Sequence, residues 1–413
     1  MMRLLFVVQR YGEQIAGGAE TFCREFATRL SARGLDVEVL TSRARNYVDW
    51  KNELPEGTSV EQGVRVHRLS VVHPREDRLF GPMNARVMTG RKPLPDHLQR
   101  EWMRMQGPNL AELPGWLSEH AAGYDAVVFF TYLYYSTWAG LPVASNLTTT
   151  VLHPTAHDEP PMSLPIFDLM FRLPHGLGFL TEEEAQLVQG RFGSKLPFTV
   201  TGIGIDLDRE GDEGRFRAKH GLGDAPYVLC VGRLDPHKGS TELYDYFVTF
   251  KRRRPGPLKL VIVGDPVRPL PPHDDIVMTG FVSEEEKHDA FSGSLMLVQP
   301  SYFESFSIVL TEAWAHRRPA LVQGHSAVLA GQARRSGGGL PYQGYGEFEA
   351  ALELLVDDEA LRQRMGTAGR AFVEGRYDWP KVLSKYERFL EALANQFPTR
   401  QIRRCRAASG PIK

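Results

Sequence analysis

Two carboxylates, Glu304 and Glu312, stand in the run Pro300-Ser301-Tyr302-Phe303-Glu304-Ser305-Phe306-Ser307-Ile308-Val309-Leu310-Thr311-Glu312. Ahead of them residues 294–299 are apolar enough for an interior strand. Behind them Ile308, Leu310, Ala313 and Trp314 recur at helical spacing. The pattern predicts a strand that turns sharply into a helix, with a carboxylate on each side of the helix start. A helix N-terminus offers unpaired backbone N–H groups and partial positive charge, which suit phosphate, while Glu side chains accept hydrogen bonds from sugar hydroxyls. One element can thus hold both halves of a nucleotide-sugar. Alone the pair is weak evidence, because solvated helices carry such pairs by chance.

A second pattern adds weight. Residues 228–231 read as a buried strand and run into Gly232-Arg233-Leu234-Asp235-Pro236-His237-Lys238-Gly239. Two cations then sit on a tight turn at a strand's carboxyl end, where open α/β sheets bind ligands. Arg233 can grip an anionic oxygen with two donors and Lys238 adds a flexible point charge, a pairing suited to a departing pyrophosphate. Either residue alone reads equally as a surface cation.

Together, Gly232-Arg233 with Lys238-Gly239 and the 304–312 segment resemble the retaining glycosyltransferases of family 4, the glycosyl transferases group 1, which have the α/β GT-B fold. The resemblance extends to the opening strand 4–8 with Gly17-Gly18-Ala19-Glu20, to Ala156-His157-Asp158-Glu159-Pro160-Pro161, and to Gly280-Phe281-Val282. It implies two Rossmann-like domains facing across a cleft. It also implies transfer from a nucleoside-diphosphate sugar to a glycan, lipid-linked or small-molecule acceptor. Arg233 and Lys238 would stabilise the leaving diphosphate. Glu304 would bind hydroxyls of the donor sugar, with the backbone of Ser305, Phe306, Ser307, Ile308 and Val309 around its ring and phosphates. Glu312 would bind ribose, Phe281 and Val282 would border the base, and Gly17 and Gly18 would bring amides to the donor phosphate or the acceptor. His157 would contact the transferred sugar, with His153 four residues earlier as second candidate. The resemblance implies front-face substitution without a covalent nucleophile, assisted by the leaving phosphate oxygen. Ser307 stands where the family often has Gly.

No cofactor or essential metal is expected. Asp206-Leu207-Asp208 has the spacing of a metal-binding Asp-x-Asp from another glycosyltransferase fold, but it falls where a linker is expected. His153, His157 and Asp158 read as hydrogen-bonding loop residues before metal ligands. The alternatives to a transferase are a GT-B sugar-nucleotide epimerase or phosphorylase, or a non-catalytic sugar-nucleotide sensor.

The elements that must position these residues follow from the rest of the chain. With 413 residues the chain exceeds one ordinary core and fits two α/β domains, and its net charge of −1 gives no reason to expect nucleic acid. Residues 4–8 as strand, a helix over about 19–33 and a strand at 37–40 make a βαβ opening without the Gly-x-Gly-x-x-Gly fingerprint of dinucleotide enzymes. Further strands are predicted at 64–69, 126–130, 148–152, 178–180 and 198–200. Thr181 with Glu184 and Ser283 with Glu286 read as capping boxes. The reading divides the chain into an acceptor-side domain, 1–203, with a returning helix 379–396; a donor domain, 204–378; and a basic tail, 397–413. Residues 72–112 read as irregular. There Arg86, Arg91, Lys92, Arg100 and Arg104 read best as solvated faces of helices, and second as a peripheral contact with lipid or acceptor in which Trp102, Met103, Met105 and Trp116 are the apolar anchors. Cys23, Cys230 and Cys405 lack metal-ligand spacing, and with no signal-like or membrane-spanning run they point to reduced thiols and a cytoplasmic protein, with the inner membrane face as the second reading.

Overall fold

A computed structural model describes residues 2–15, 17–89, 94–232, 238–265 and 270–397. The chain divides into two compact units, Met1–Thr201 with Leu383–Lys413, and Gly202–Val382.

The first unit is built on an eight-stranded sheet. Its strands are β1 (Arg3–Val7), β2 (Asp36–Ser42), β3 (Gly57–Glu61), β4 (Val64–Leu69), β5 (Ala126–Phe130), β6 (Thr149–His153), β7 (Gly176–Phe179) and β8 (Phe198–Val200), in the spatial order β3-β4-β2-β1-β5-β6-β7-β8. Every neighbouring pair is parallel except β3–β4, a hairpin at the edge. Every residue of β5 and β6 is buried, as expected of strands covered on both faces. The order reverses between β1 and β5, so the loops after these strands border a crevice at their carboxyl ends.

The second unit carries β9 (Tyr227–Val231), β10 (Lys259–Val263), β11 (Ile276–Gly280), β12 (Leu297–Gln299), β13 (Ala320–Gln323) and β14 (Gly339–Tyr342) in a wholly parallel sheet ordered β11-β10-β9-β12-β13-β14. Counted within the unit this is order 3-2-1-4-5-6, that of a nucleotide-binding sheet. Its switch point lies between β9 and β12, the two strands that lead into the 232–239 and 300–312 segments. β3, β10, β11, β13 and β14 lie outside the runs picked out by sequence pattern; four of the five are short parallel strands with no alternation to mark them.

The expected helix starts are present. Thr181 Oγ1 accepts from the Glu184 N–H at 3.2 Å, and Ser283 Oγ accepts from the Glu286 N–H at 3.2 Å. The reading of 72–112 as irregular needs correction, since the segment contains the helices Asp77–Thr89 and Asp96–Gln106. Arg86, Arg100 and Arg104 are exposed on them, as the solvated-face reading has it, whereas Arg91 and Lys92 lie outside the described residues. Trp102 and Met103 are fully buried and Met105 and Trp116 pack against the same core, so these four hold the unit together instead of presenting anchors to lipid. The helix Trp379–Gln396 enters the first unit at Leu383. No helix among the described residues is long and apolar enough to cross a membrane. Cys23 and Cys230 are buried free thiols, and burial pushes Cys230 up to about 12; Cys405 and the basic tail past Phe397 lie outside the described residues.

Candidate functional site

In the second unit β9 ends at Val231, and Gly232, with φ 139°, takes the backbone out of the strand. Arg233 lies outside the described residues. Lys238 precedes Gly239, which caps the helix Ser240–Arg253 with a left-handed φ of 69°. A Cβ on Gly239 would stand 2.1 Å from the Pro300 carbonyl oxygen, so only glycine lets this helix start rest against the loop after β12. That contact brings the two predicted segments together. Lys238 Nζ is 2.7 Å from Glu304 Oε1, and Gln299 Nε2 donates to the same oxygen at 3.3 Å and to Ser307 Oγ at 3.0 Å.

Ser307 is the N-cap of the helix Ile308–Ala315 and has φ 70°, ψ 85°, with no side-chain cap of its own. The left-handed backbone explains why glycine suits this position; here the bond from Gln299 holds a serine there instead. Ser305, Ile308 and Val309 are half-exposed, while the Phe306 ring is buried edge-on against Tyr377 and leaves only its backbone for a ligand. The Phe306 carbonyl in turn accepts from Gln332.

Glu312 is buried at 8% exposure. Its Oε1 is 2.8 Å from Lys287 Nζ, which is also 2.8 Å from Glu284 Oε2. Burial works to lower the Lys287 pKa, but the two carboxylates outweigh it and the net shift is upward. Ligand atoms of Glu284, His288 and Glu312 come within 4.8 Å of one another, close enough for a metal ion. The cation serving those carboxylates is the Lys287 ammonium, and His288 Nδ1 is engaged with His316 Nε2 at 2.8 Å. Phe281 is 78% exposed directly after Gly280, and the Gly264 N–H donates to the Gly280 carbonyl, clipping the ends of β10 and β11 together. An open aromatic face at a sheet's carboxyl edge fits a base to stack on. Val282 beside it is half-buried.

In the first unit Gly17 caps the helix Gly18–Ala32. A Cβ there would lie 2.2 Å from Glu20 Oε2, because Glu20 folds inward to meet Arg10 in an ion pair whose side chains are each 7% exposed. Nothing lies within 4 Å of a Cβ on Gly18, which faces open space. Beside the preceding loop is a pocket of about 330 Å³ whose lining includes Glu13, Arg24, Arg45, Glu61 and Arg68.

The two histidines separate clearly. His153 is fully buried, stacked on Phe130, with Nε2 2.9 Å from the Tyr386 hydroxyl, and burial pushes it down to about 3. It is a core residue. The His157 side chain is 30% exposed, with Nε2 3.5 Å from Glu159 Oε2; Glu159 Oε1 accepts from the Tyr132 hydroxyl at 2.7 Å. Below this loop the buried Glu184 carboxylate accepts from the Ala156 and Leu180 N–H groups, both at 2.7 Å. Gln299, Lys287, Glu159 and Glu184 thus support the predicted residues without having been singled out as site residues. Asp206 pairs with Arg209 at 3.2 Å and Asp208 is exposed.

Residues 212–372 match the model of the family described as glycosyl transferases group 1. The alpha-D-kanosaminyltransferase of Streptomyces kanamyceticus is 32% identical over 184 residues, 42% of this chain and about half, 47%, of that protein. The GDP-mannose-dependent alpha-(1-6)-phosphatidylinositol monomannoside mannosyltransferase of Mycobacterium tuberculosis is 25% identical over 416 residues, covering 94% of this chain and 98% of its own. Among solved structures, sucrose-phosphate synthase from Thermosynechococcus elongatus superposes with a TM-score of 0.71 at 19% identity, over 95% of this chain and 99% of that one.

Proposed function

We propose that this chain, which has the GT-B fold and matches the group 1 glycosyl transferases over residues 212–372, transfers a sugar, with retention of anomeric configuration and without an essential metal, from a nucleoside-diphosphate sugar to an acceptor hydroxyl. The observation that carries this reading is the 2.7 Å contact of Lys238 with Glu304 at the switch point of the second sheet. A cation for phosphate and a carboxylate for sugar hydroxyls there meet across two neighbouring strands. Incoming diphosphate competes for Lys238 and releases Glu304 to the sugar, while the free N–H groups of the helix Ile308–Ala315 face the phosphates. Glu312 takes the ribose and Phe281 the base. Arg233 joins Lys238 on the diphosphate, as its place in the motif implies.

The acceptor oxygen bonds to the anomeric carbon as the bond from that carbon to the phosphate oxygen breaks, and the acceptor proton passes to the departing phosphate. The protein contributes fixed charge around the leaving group, which replaces a metal, and His157 at the transferred sugar. The GDP-mannose dependence of the mycobacterial relative supports the donor class. The pocket lined by Arg24, Arg45, Arg68, Glu13 and Glu61 supports an acceptor rich in hydroxyls or carrying an anion.

A thermal-shift panel of nucleoside diphosphates and their sugars identifies the donor, since a ligand selective for the folded state raises apparent stability. With that donor, release of free nucleoside diphosphate only when an acceptor is supplied, unaffected by EDTA, is the expected result. Acceptor-independent turnover, activity abolished by chelation and restored by magnesium, or an inverted product each overturn the corresponding part of the proposal.

A further inference from the structure

The Glu312 carboxylate is held on one side only. Oε1 is 2.8 Å from Lys287 Nζ, whereas Oε2 is buried with no hydrogen-bond partner. A buried carboxylate oxygen without a donor is unfavourable and calls for an explanation, which a donor brought by a ligand supplies here. Lys287 comes from another element, the helix Glu284–Gly293 that follows Phe281, and its side chain is 14% exposed. Its second partner, Glu284, is on its own helix.

We propose that Lys287 is a positioning residue for nucleoside recognition: it pins Glu312 through Oε1 so that Oε2 is presented to the ribose hydroxyls. Discrimination between a ribonucleotide and one lacking those hydroxyls then depends on a lysine that does not touch the nucleotide. A glutamate carboxylate freed from Lys287 can rotate about its side-chain torsions and spends only part of its time aimed at the ribose. The ammonium also supplies the countercharge that makes an anion tolerable in this buried place. The inference rests on the assignment of Glu312 to the ribose given above.

The test compares Kd values for the tightest of UDP, GDP and ADP with those for its 2′,3′-dideoxy counterpart. For the parent protein the ribonucleotide should bind about tenfold more tightly or better, the discrimination expected when a charged acceptor loses its donors. Lys287→Met and Lys287→Gln should bring that ratio to within about twofold of unity while leaving dideoxynucleotide affinity nearly unchanged, and Lys287→Arg should restore most of it. Glu284→Gln should keep the parent ratio. Equal loss of both affinities, or a retained ratio in Lys287→Met and Lys287→Gln, overturns the proposal. Glu312→Gln separates the two readings: if it abolishes the ratio while the Lys287 variants keep it, only the role of Lys287 falls; if the parent itself shows no ribose preference, the Glu312 assignment falls with it. Should the neutral variants not fold, the Lys287 ammonium signal of ¹⁵N-lysine-labelled parent protein, assigned from its loss in Lys287→Arg, should shift on adding the ribonucleotide and stay still with the dideoxy form. A signal that responds equally to both overturns the inference.

Discussion

Glu304 and Glu312 lie on one strand–helix junction and keep different company, which makes their roles separable. Glu304 shares its Oε1 between Lys238 and Gln299, whereas Glu312 is tied to Lys287. Glu312→Gln should weaken nucleoside diphosphate about tenfold, since a hydrogen bond to a charged group contributes about 1.5–3 kcal/mol. Glu304→Gln should not weaken the nucleotide, because it frees Lys238 for the diphosphate, but it should impair binding of the intact donor. Calorimetry with nucleotide and donor decides, and a reversed pattern rejects the assignment. The histidines should separate as cleanly. His153→Ala leaves a cavity among Phe22, Phe130 and Tyr386 and should cost about 3 kcal/mol of stability in urea titration. His157→Ala should change stability by less than about 1 kcal/mol and yet lower turnover strongly. A fully active, folded His157→Ala removes that residue from the reaction.

At the scale of elements the joint between the helix Ser240–Arg253 and the loop after β12 decides whether a site exists. Gly239→Ala meets both a left-handed φ of 69° and the Pro300 carbonyl at 2.1 Å. It should cost more than about 1 kcal/mol and weaken diphosphate binding together with stability, measured by denaturation and calorimetry on the same variant. A variant as stable as the parent would mean that the joint yields. The strands β4, β5 and β8 were legible to the residue: β5 is a buried apolar run, and β4 alternates apolar Val64 and Val66 with Arg65 and His67. The bounds of the helix Asp77–Thr89 were not, since Gly81 and Pro82 inside it interrupt a helical pattern, and tertiary packing of Phe80 and Val87 overrides them. That the segments carrying Lys238 and Glu304 come together was legible from the motifs. Gln299, Lys287 and Glu159 become supports only through neighbours brought close by folding, which no local pattern announces, and the capping reading of Glu184 missed its reach to Ala156.

For the whole molecule buried groups set opposite pH limits, with burial pushing His316 down to about 3 alongside His153. Burial raises Glu184 from 4.5 to about 8 against the backbone donors around it, so the stability it contributes is complete below pH 4.5 and is lost as pH rises to about 8. His153 is depressed from 6.5 to about 3, so its contribution is present above pH 6.5 and is lost as pH falls towards 3. The slopes oppose one another between pH 4.5 and 6.5. Above pH 6.5 the Glu184 effect remains, and the unfolding free energy from urea titration should decline towards pH 8 with a slope of up to about 1.4 kcal/mol per unit. Glu184→Gln should flatten that limb, and a parent free energy unchanged over the interval would contradict it.

The ion pair at the switch point also sets an order in time. Lys238 and Glu304 are 66 positions apart, and β9 pairs with β12 only after the chain has crossed through β10 and β11 on the other side. During synthesis Lys238 therefore emerges well before the strand that leads to Glu304, and the cost of closing so long a loop must be met before the contact returns anything. A ribosome-bound chain that stops short of β12 holds a Rossmann half with its lysine waiting. The pairing of Lys238 with Glu304 therefore waits for β12 and comes late in the making of this unit.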